Sequence, residues 1–328
     1  MKNILLVLLV AFCASGLYAQ QESIFTQFMY NQQTVNPGYV GSRGIPSLMA
    51  LYRNQWLGFE GSPENIVLAY DSPFLNDRVG FGISAVRQSV GRFQNLYGNL
   101  AYSYGIPVSD ALTVRIGLQG TAYYNQISLT GDAVIFDDND MSIFMNSDPA
   151  QLKGNFGAGI YIHSDRFYFG VSSPYFLSNE IGFNDEVDIT AFKEAHYYGL
   201  LGVTVPMSEK VELRPAFQGR YVPNAPFQLD ANLSVIFNKK FTLGTSYRTG
   251  GEGTGESIDF LMFLQLSKRM GLGAAYDYTL TEINNYSNGT FELMLRYDFK
   301  AKRSDLEDGR EFKEASSGSS KSKKSKKR

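Results

Sequence analysis

Leu112-Thr113-Val114-Arg115-Ile116-Gly117-Leu118-Gln119-Gly120-Thr121-Ala122 alternates strictly: Leu112, Val114, Ile116 and Leu118 share one face, and Thr113, Arg115, Gln119 and Thr121 the other. A period of two belongs to a β-strand, since a helix would swing Arg115 onto the face of Leu112. The pattern recurs along residues 211–221, where Glu212, Arg214, Gln218 and Arg220 share the polar face. It recurs again along 229–237, with Asp230, Asn232 and Ser234 opposite the apolar set, and along 291–299, with Glu292, Arg296 and Asp298.

Extended over the chain, this periodicity predicts strands at 47–57, 64–72, 79–88, 94–106, 111–125, 155–163, 166–173, 195–205, 210–221, 228–237, 240–249, 257–268, 271–280 and 289–299. The composition agrees: 24 Phe, 21 Tyr, one Trp and 32 Gly among 328 residues suit strands and tight turns better than helices. With 44% apolar and 19% charged residues the chain is too hydrophobic to be disordered. Beyond residue 19 the longest unbroken apolar runs are five residues long, Leu48–Tyr52, Ile66–Tyr70 and Phe260–Leu264. These are far short of the roughly 20 that a membrane-spanning helix needs. Strands that hide apolar residues at every second position escape that test.

Connection lengths test for a membrane barrel, because an outer-membrane barrel has short turns on one side and longer loops on the other. A secreted soluble all-β protein, the competing architecture, would also alternate but with polar outer faces. Every second connection is tight: Pro107–Asp110, Ser164–Asp165, Pro206–Glu209, Asn238–Lys239 and Arg269–Met270, with Pro73–Arg78 slightly longer. The intervening connections include 126–154, 174–194, 250–256 and 281–288. Tyr102, Tyr104, Tyr124, Phe237, Phe241, Tyr278 and Phe299 stand near strand ends, as a membrane interface requires. The fold expected is all-β, a transmembrane antiparallel β-barrel of about 14 strands over residues 47–299. Both chain ends lie on its short-turn, periplasmic side.

Outside the barrel the chain reads as three further pieces. Lys2, the apolar stretch Ile4–Phe12 and the small-residue ending at Ala19 make residues 1–19 a cleaved secretory signal. It carries away Cys13, the only cysteine, leaving the mature chain without thiol or disulfide. Residues 20–46, rich in Gln and Asn, are too long for a simple leader and too polar for the bilayer, and they read as a plug in the lumen or a pad beneath the barrel. Residues 300–328 carry 11 basic and 5 acidic residues, a net +6, against 18 basic and 27 acidic in 20–299, a net −9. This Ser/Lys tail is expected to be disordered and periplasmic, in reach of an acidic partner or lipid headgroups.

The residues offer little catalytic chemistry. Two histidines and no mature cysteine exclude a soft-metal site and a thiol nucleophile. His163 and His196 fall on the polar phase of their strands; a hydrolase built on His163 with Ser164 or Ser172 lacks a recognisable third member. Asp137-Asp138-Asn139-Asp140 lacks the glycine and distal glutamate of an EF-hand loop. The glycine-rich stretch 250–255 lacks the Lys-Ser/Thr pair of a phosphate cradle. Neither cofactor, metal, nucleic acid nor enzymatic activity is expected. Lumen-phase charges at Arg115, Glu212, Arg214, Arg220, Asp230, Arg248, Asp259, Asp277, Glu292 and Arg296 are mixed in sign, which suits mutual pairing across a wall better than an ion-selective filter.

Certain short motifs resemble a known family. Gln27-Phe28-Met29-Tyr30-Asn31, Val35-Asn36-Pro37-Gly38-Tyr39-Val40-Gly41, Tyr52-Arg53-Asn54-Gln55-Trp56, Asp71-Ser72-Pro73, Ala275-Tyr276-Asp277-Tyr278 and the closing Glu292–Phe299 are similar to those of the PorP/SprF outer-membrane proteins associated with type IX secretion. Pro37-Gly38 stands where the family usually has Pro-Ala, and the lysine-rich tail is not part of the pattern. The resemblance implies a non-catalytic barrel that works with secretion-system proteins, helping export and surface attachment of a client such as an adhesin of a gliding bacterium. Tyr30, Asn31, Asn36, Pro37, Arg53, Gln55 and Trp56 are its partner-contact or structural candidates, with Pro37-Gly38 a turn and Trp56 an interface anchor in the plainer reading. The alternative is a plugged outer-membrane channel for a hydrophobic or small solute.

Overall fold

The computed structural model describes residues 24–75, 77–128, 150–181, 191–223, 225–249 and 256–299. The leader, the tail, Asp137–Asp140 and the stretch 250–255 lie outside these residues. Fourteen wall strands follow one another: β1 (Ser47–Asn54), β2 (Glu64–Phe74), β3 (Val79–Val90), β4 (Phe93–Pro107), β5 (Thr113–Ile127), β6 (Ala150–His163) and β7 (Phe167–Tyr175); then β8 (His196–Val203, continued by Val205–Pro206), β9 (Val211–Tyr221), β10 (Gln228–Phe237), β11 (Phe241–Thr249), β12 (Ser257–Gln265), β13 (Met270–Thr279) and β14 (Thr290–Asp298). Each pairs antiparallel with its neighbours in sequence, and β1 pairs with β14 from Ser47↔Asp298 to Asn54↔Phe291. The sheet is therefore closed, and no edge is left to face lipid. A small separate hairpin, Asn179–Ile181 with Ala191–Lys193, belongs to the long connection between β7 and β8.

The expected strands all form, with boundaries moved where local bonding decides. The first strand stops at Asn54, because the Gln55 N–H donates to the Pro63 carbonyl and Trp56 adopts a φ of 58° that turns the chain. The sixth begins at Ala150, five residues before the expected start: Ala150–Gly154 pair with Gln126–Ala122 beyond the alternating segment. A ladder between two strands continues past the bilayer without a hydrophobic pattern to announce it. At 15 residues each, β4 and β5 exceed the 9–11 that span a membrane, so this side of the wall stands taller on the long-connection rim. The chain enters the first strand and leaves the last on the opposite rim, together with the short turns after β2, β4, β6, β8, β10 and β12. The two-residue turn Gly91-Arg92 after β3 lies on the long-connection rim, against the expected sorting of loop lengths.

Inside and outside are reversed relative to a soluble protein. Outward residues are large and apolar, with Leu100 52%, Leu118 61% and Phe260 58% exposed, whereas Arg115, Gln119, Asp259 and Glu292 point inward and are buried. A secreted sandwich would have the opposite arrangement. Leu100→Arg, near the middle of β4, is expected to destabilise the barrel by about 2–4 kcal/mol, and Val108→Arg in a short turn by about 0–1. Equilibrium unfolding from liposomes checks this; equal costs at the two positions would contradict a lipid-facing wall.

Candidate functional site

Residues 24–46 meet the wall from the lumen side. Two 3-10 turns, Gln32–Thr34 and Pro37–Tyr39, shape the segment. Asn36 sets the second: its Oδ1 accepts from the Gly38 N–H at 2.8 Å, while its Nδ2 donates to the Ile160 carbonyl on β6 at 3.1 Å. Pro37 occupies the first helical position, where its missing N–H costs nothing. The Gln33 amide donates to the Tyr70 and Ile83 carbonyls, Ser103 Oγ to the Val40 carbonyl, and Ser172 Oγ to the Val35 carbonyl. The backbone approaches so closely that a methyl group at Gly80 would collide with the Val40 carbonyl, and one at Gly117 with the Pro37–Gly38 peptide.

Further along the lumen, the segment is held by charge. Arg53 on β1 donates through Nη2 to Asp277 Oδ2 at 2.7 Å and through Nη1 to Glu292 Oε2 at 3.0 Å. Glu292 also accepts the Thr26 and Gln27 backbone N–H groups at 3.0 and 2.9 Å, and Thr26 Oγ1 donates to Asp277 Oδ1 at 2.6 Å. Arg248 donates to Asp230 at 2.6 Å and lies 3.5 Å from Asp259 and 3.6 Å from Asp277. Asp277 thus joins two guanidiniums, and two amides of the segment complete the coordination of Glu292.

Apolar contacts flank this network. Phe25 packs with Met49, Leu51, Val67, Ala69, Phe263 and Met294 of the wall; Phe28 and Met29 pack with Leu200, Ala216, Leu261 and Ala275. Tyr30 stacks on Phe263, ring centroids 4.7 Å apart, with the Arg296 guanidinium 5.0 Å from the Phe263 centroid. The three five-residue apolar runs acquire a reason here. Their inward members, Met49 and Leu51, Val67 and Ala69, and Leu261 and Phe263, are apolar because the segment covers them. In the sequence these runs served only to exclude a spanning helix; their doubled alternation is the signal left unread there.

Toward the short-turn rim, Arg43 grips Asp298 with both terminal nitrogens, at 2.8 and 3.0 Å, tying the segment to the end of β14. Burial alone would lower the Arg43 pKa; the hydrogen bond and charge of Asp298 outweigh it and hold the guanidinium above its ordinary value. Arg115 donates to the Asp77 carbonyl at 2.8 Å and to Ser103 Oγ at 3.0 Å. Below the segment lies a cavity of about 360 Å³ that reaches the turn residues Ser164, Asp165, Lys239 and Lys240.

The other sequence candidates are distributed around this interior. Asn31, Asn36 and Arg53 are buried, and Tyr30 and Pro37 lie in the same segment-to-wall contact. Gln55 and Trp56 stand apart from it, in the connection after β1, the Trp56 N–H donating to Thr290 Oγ1. Glu212 and Arg214 line the cavity, Arg214 donating to Thr204 Oγ1 at 3.2 Å. Arg220 donates to Gln228 Oε1, and Asp230 pairs with Arg248. The two serines near His163 are engaged by backbone: Ser172 donates to Val35, and Ser164 Oγ accepts the Phe167 N–H at 3.1 Å. The sequence reading missed the roles of Thr26 and Gln27, whose backbone N–H groups, not their side chains, meet Glu292.

Residues 17–297 match the family described as type IX secretion system membrane protein PorP/SprF. The chain belongs to this family. No protein of curated function matches it. Among solved structures, the CymD monoaromatic hydrocarbon channel superposes with a TM-score of 0.53 at 9% identity, over 86% of this chain and 95% of that one. A FadL homologue of Pseudomonas aeruginosa gives 0.45 at 12% identity over 81% and 93%, and Omp33 of Acinetobacter baumannii 0.44 at 7% over 78% and 98%. The CymD likeness is one of fold: a closed outer-membrane barrel. Within this PorP/SprF-type barrel, Arg53→Ala leaves Glu292 and Asp277 without their shared cation and is expected to cost roughly 3–5 kcal/mol. Denaturant unfolding followed by the fluorescence of Trp56, the single tryptophan, measures it; a loss under about 1 kcal/mol would contradict the network's role.

Proposed function

We propose that this outer-membrane barrel supports type IX secretion as a plugged, non-enzymatic partner, assisting export and surface attachment of a client protein such as an adhesin. The match of residues 17–297 to the type IX secretion family carries the reading. The segment 24–46 acts as the plug, joined to wall strands by the Arg53–Asp277–Glu292 network and by Arg43–Asp298. The short-turn rim and both termini face the periplasm, where secretion machinery is reached, once residues 1–19 have been removed as a signal. The taller long-connection rim faces outward and holds the client, as the loops of a support protein would.

Loss of the protein is expected to abolish surface display of one type IX client while others persist; unchanged display of every client would sink the reading. The rival, a channel for a hydrophobic or small solute, draws on the barrel fold and the cavity beneath the segment. Planar-bilayer recordings separate the two. A support barrel conducts little as it stands, and Gly117→Val, by pushing Pro37–Gly38 off the wall, raises its conductance severalfold. A large, solute-saturable conductance in the unaltered protein favours the channel.

A further inference from the structure

The cavity below the segment has a charge that the secretion reading leaves unused. Seven Arg and Lys side chains line it, Arg166, Lys239 and Lys240 at its mouth among them, against three carboxylates, Asp77, Asp165 and Glu212. Counting Asp298 and Asp71, which face Arg43 from behind the lining, still leaves seven against five. Whatever pairs these groups form with one another, the vestibule carries an excess of positive charge within low-dielectric walls, which focus its field toward the mouth. Rings of Tyr30, Phe167, Tyr168 and Phe263 supply apolar surface beside the charges. An anionic chain with a few large apolar side chains is the complement of such a lining.

This chain carries one beside the opening. The Phe299 N–H donates to the Pro46 carbonyl, so residue 300 starts at the rim, next to Arg43 and Asp298. Past the basic residues Lys300, Lys302 and Arg303 comes Ser304-Asp305-Leu306-Glu307-Asp308-Gly309-Arg310-Glu311-Phe312-Lys313-Glu314, with five acidic and two basic side chains. Leu306 and Phe312 are its large apolar residues. The run that follows from Lys321 to Arg328 has six basic residues and no acidic one. We propose that the vestibule is the docking site of the chain's own acidic segment, Ser304–Glu314, folded back beneath residues 24–46. Asp305 is six residues beyond Phe299, a reach of about 20 Å in extended chain, which carries it over the mouth. A tether of that length gives an effective concentration on the order of millimolar, so modest affinity suffices to keep the site filled. The same lining repels Lys321–Arg328 and leaves that stretch outside.

Cysteine cross-linking in the full chain, with Cys13→Ser, tests the proposal. Thr242→Cys places a thiol in the vestibule wall, and Gly309→Cys places one in the acidic segment without altering its charge. Under mild oxidation this pair is expected to close at least about tenfold faster than Thr242→Cys with Gly318→Cys, whereas the longer loop alone accounts for roughly threefold. Lys239→Glu with Lys240→Glu, or about 0.5 M salt, is expected to remove most of that advantage. Closure rates that differ only by the loop-length factor, or that ignore the charge reversal, overturn the proposal. Slow closure accompanied by capture of an added acidic peptide at Thr242→Cys assigns the vestibule to another protein's segment and overturns it equally.

Discussion

An unpaired strand edge cannot be solvated by hydrocarbon, so the seam between β1 and β14 is the contact on which the barrel depends. Eight residue pairs close it, Ser47↔Asp298 through Asn54↔Phe291, and they carry more than backbone bonding. Arg53 and Glu292 are register partners across this seam and also ion-pair in the lumen. Asp298, at its other end, holds Arg43. One ladder therefore closes the wall and presents two of the groups that bind residues 24–46, coupling wall closure to the seating of the segment.

The buried charges explain why the segment has one position. Asp230, Asp259, Asp277 and Glu292 share two guanidiniums, Arg53 and Arg248, in an interior nearly shut off from solvent. Such groups are tolerated only when their hydrogen-bonding capacity is met, and Coulomb attraction alone seldom repays their desolvation. The Thr26 and Gln27 amides supply donors to Glu292, and the Thr26 hydroxyl supplies one to Asp277. A shift of the segment by one residue would leave Glu292 short of them. The apolar clusters around Phe25 and Phe28 add burial, while the polar network sets register.

Much of the wall was legible because a two-residue period is a long-range regularity, repeated in fourteen strands, with loop lengths sorted by side apart from the two-residue turn Gly91-Arg92. Arg115, Asp230 and Glu292 fall on the lumen face where their phase puts them. The ends of strands were less legible: β6 gains Ala150–Gly154 through pairing with β5, which no apolar alternation marks. The interior was legible only in part. Three short runs apolar on both phases mark the covered inner walls, but their meaning emerged only with the structure, and nothing in Thr26 or Gln27 as residue types announces a backbone N–H aimed at a carboxylate. Contacts made by main chain depend on the path of the segment, and path is decided by Asn36, Pro37 and the lumen glycines acting together.

Amide hydrogen exchange in the membrane-embedded protein tests the central claim, that residues 24–46 are seated in the lumen through these contacts, most directly. If the contacts hold, peptides covering this segment, and the Thr26, Gln27, Gly38 and Gly41 amides in particular, exchange as slowly as those of β1 and β14. Exchange at the rate of an unstructured chain, with the wall still protected, would contradict the account.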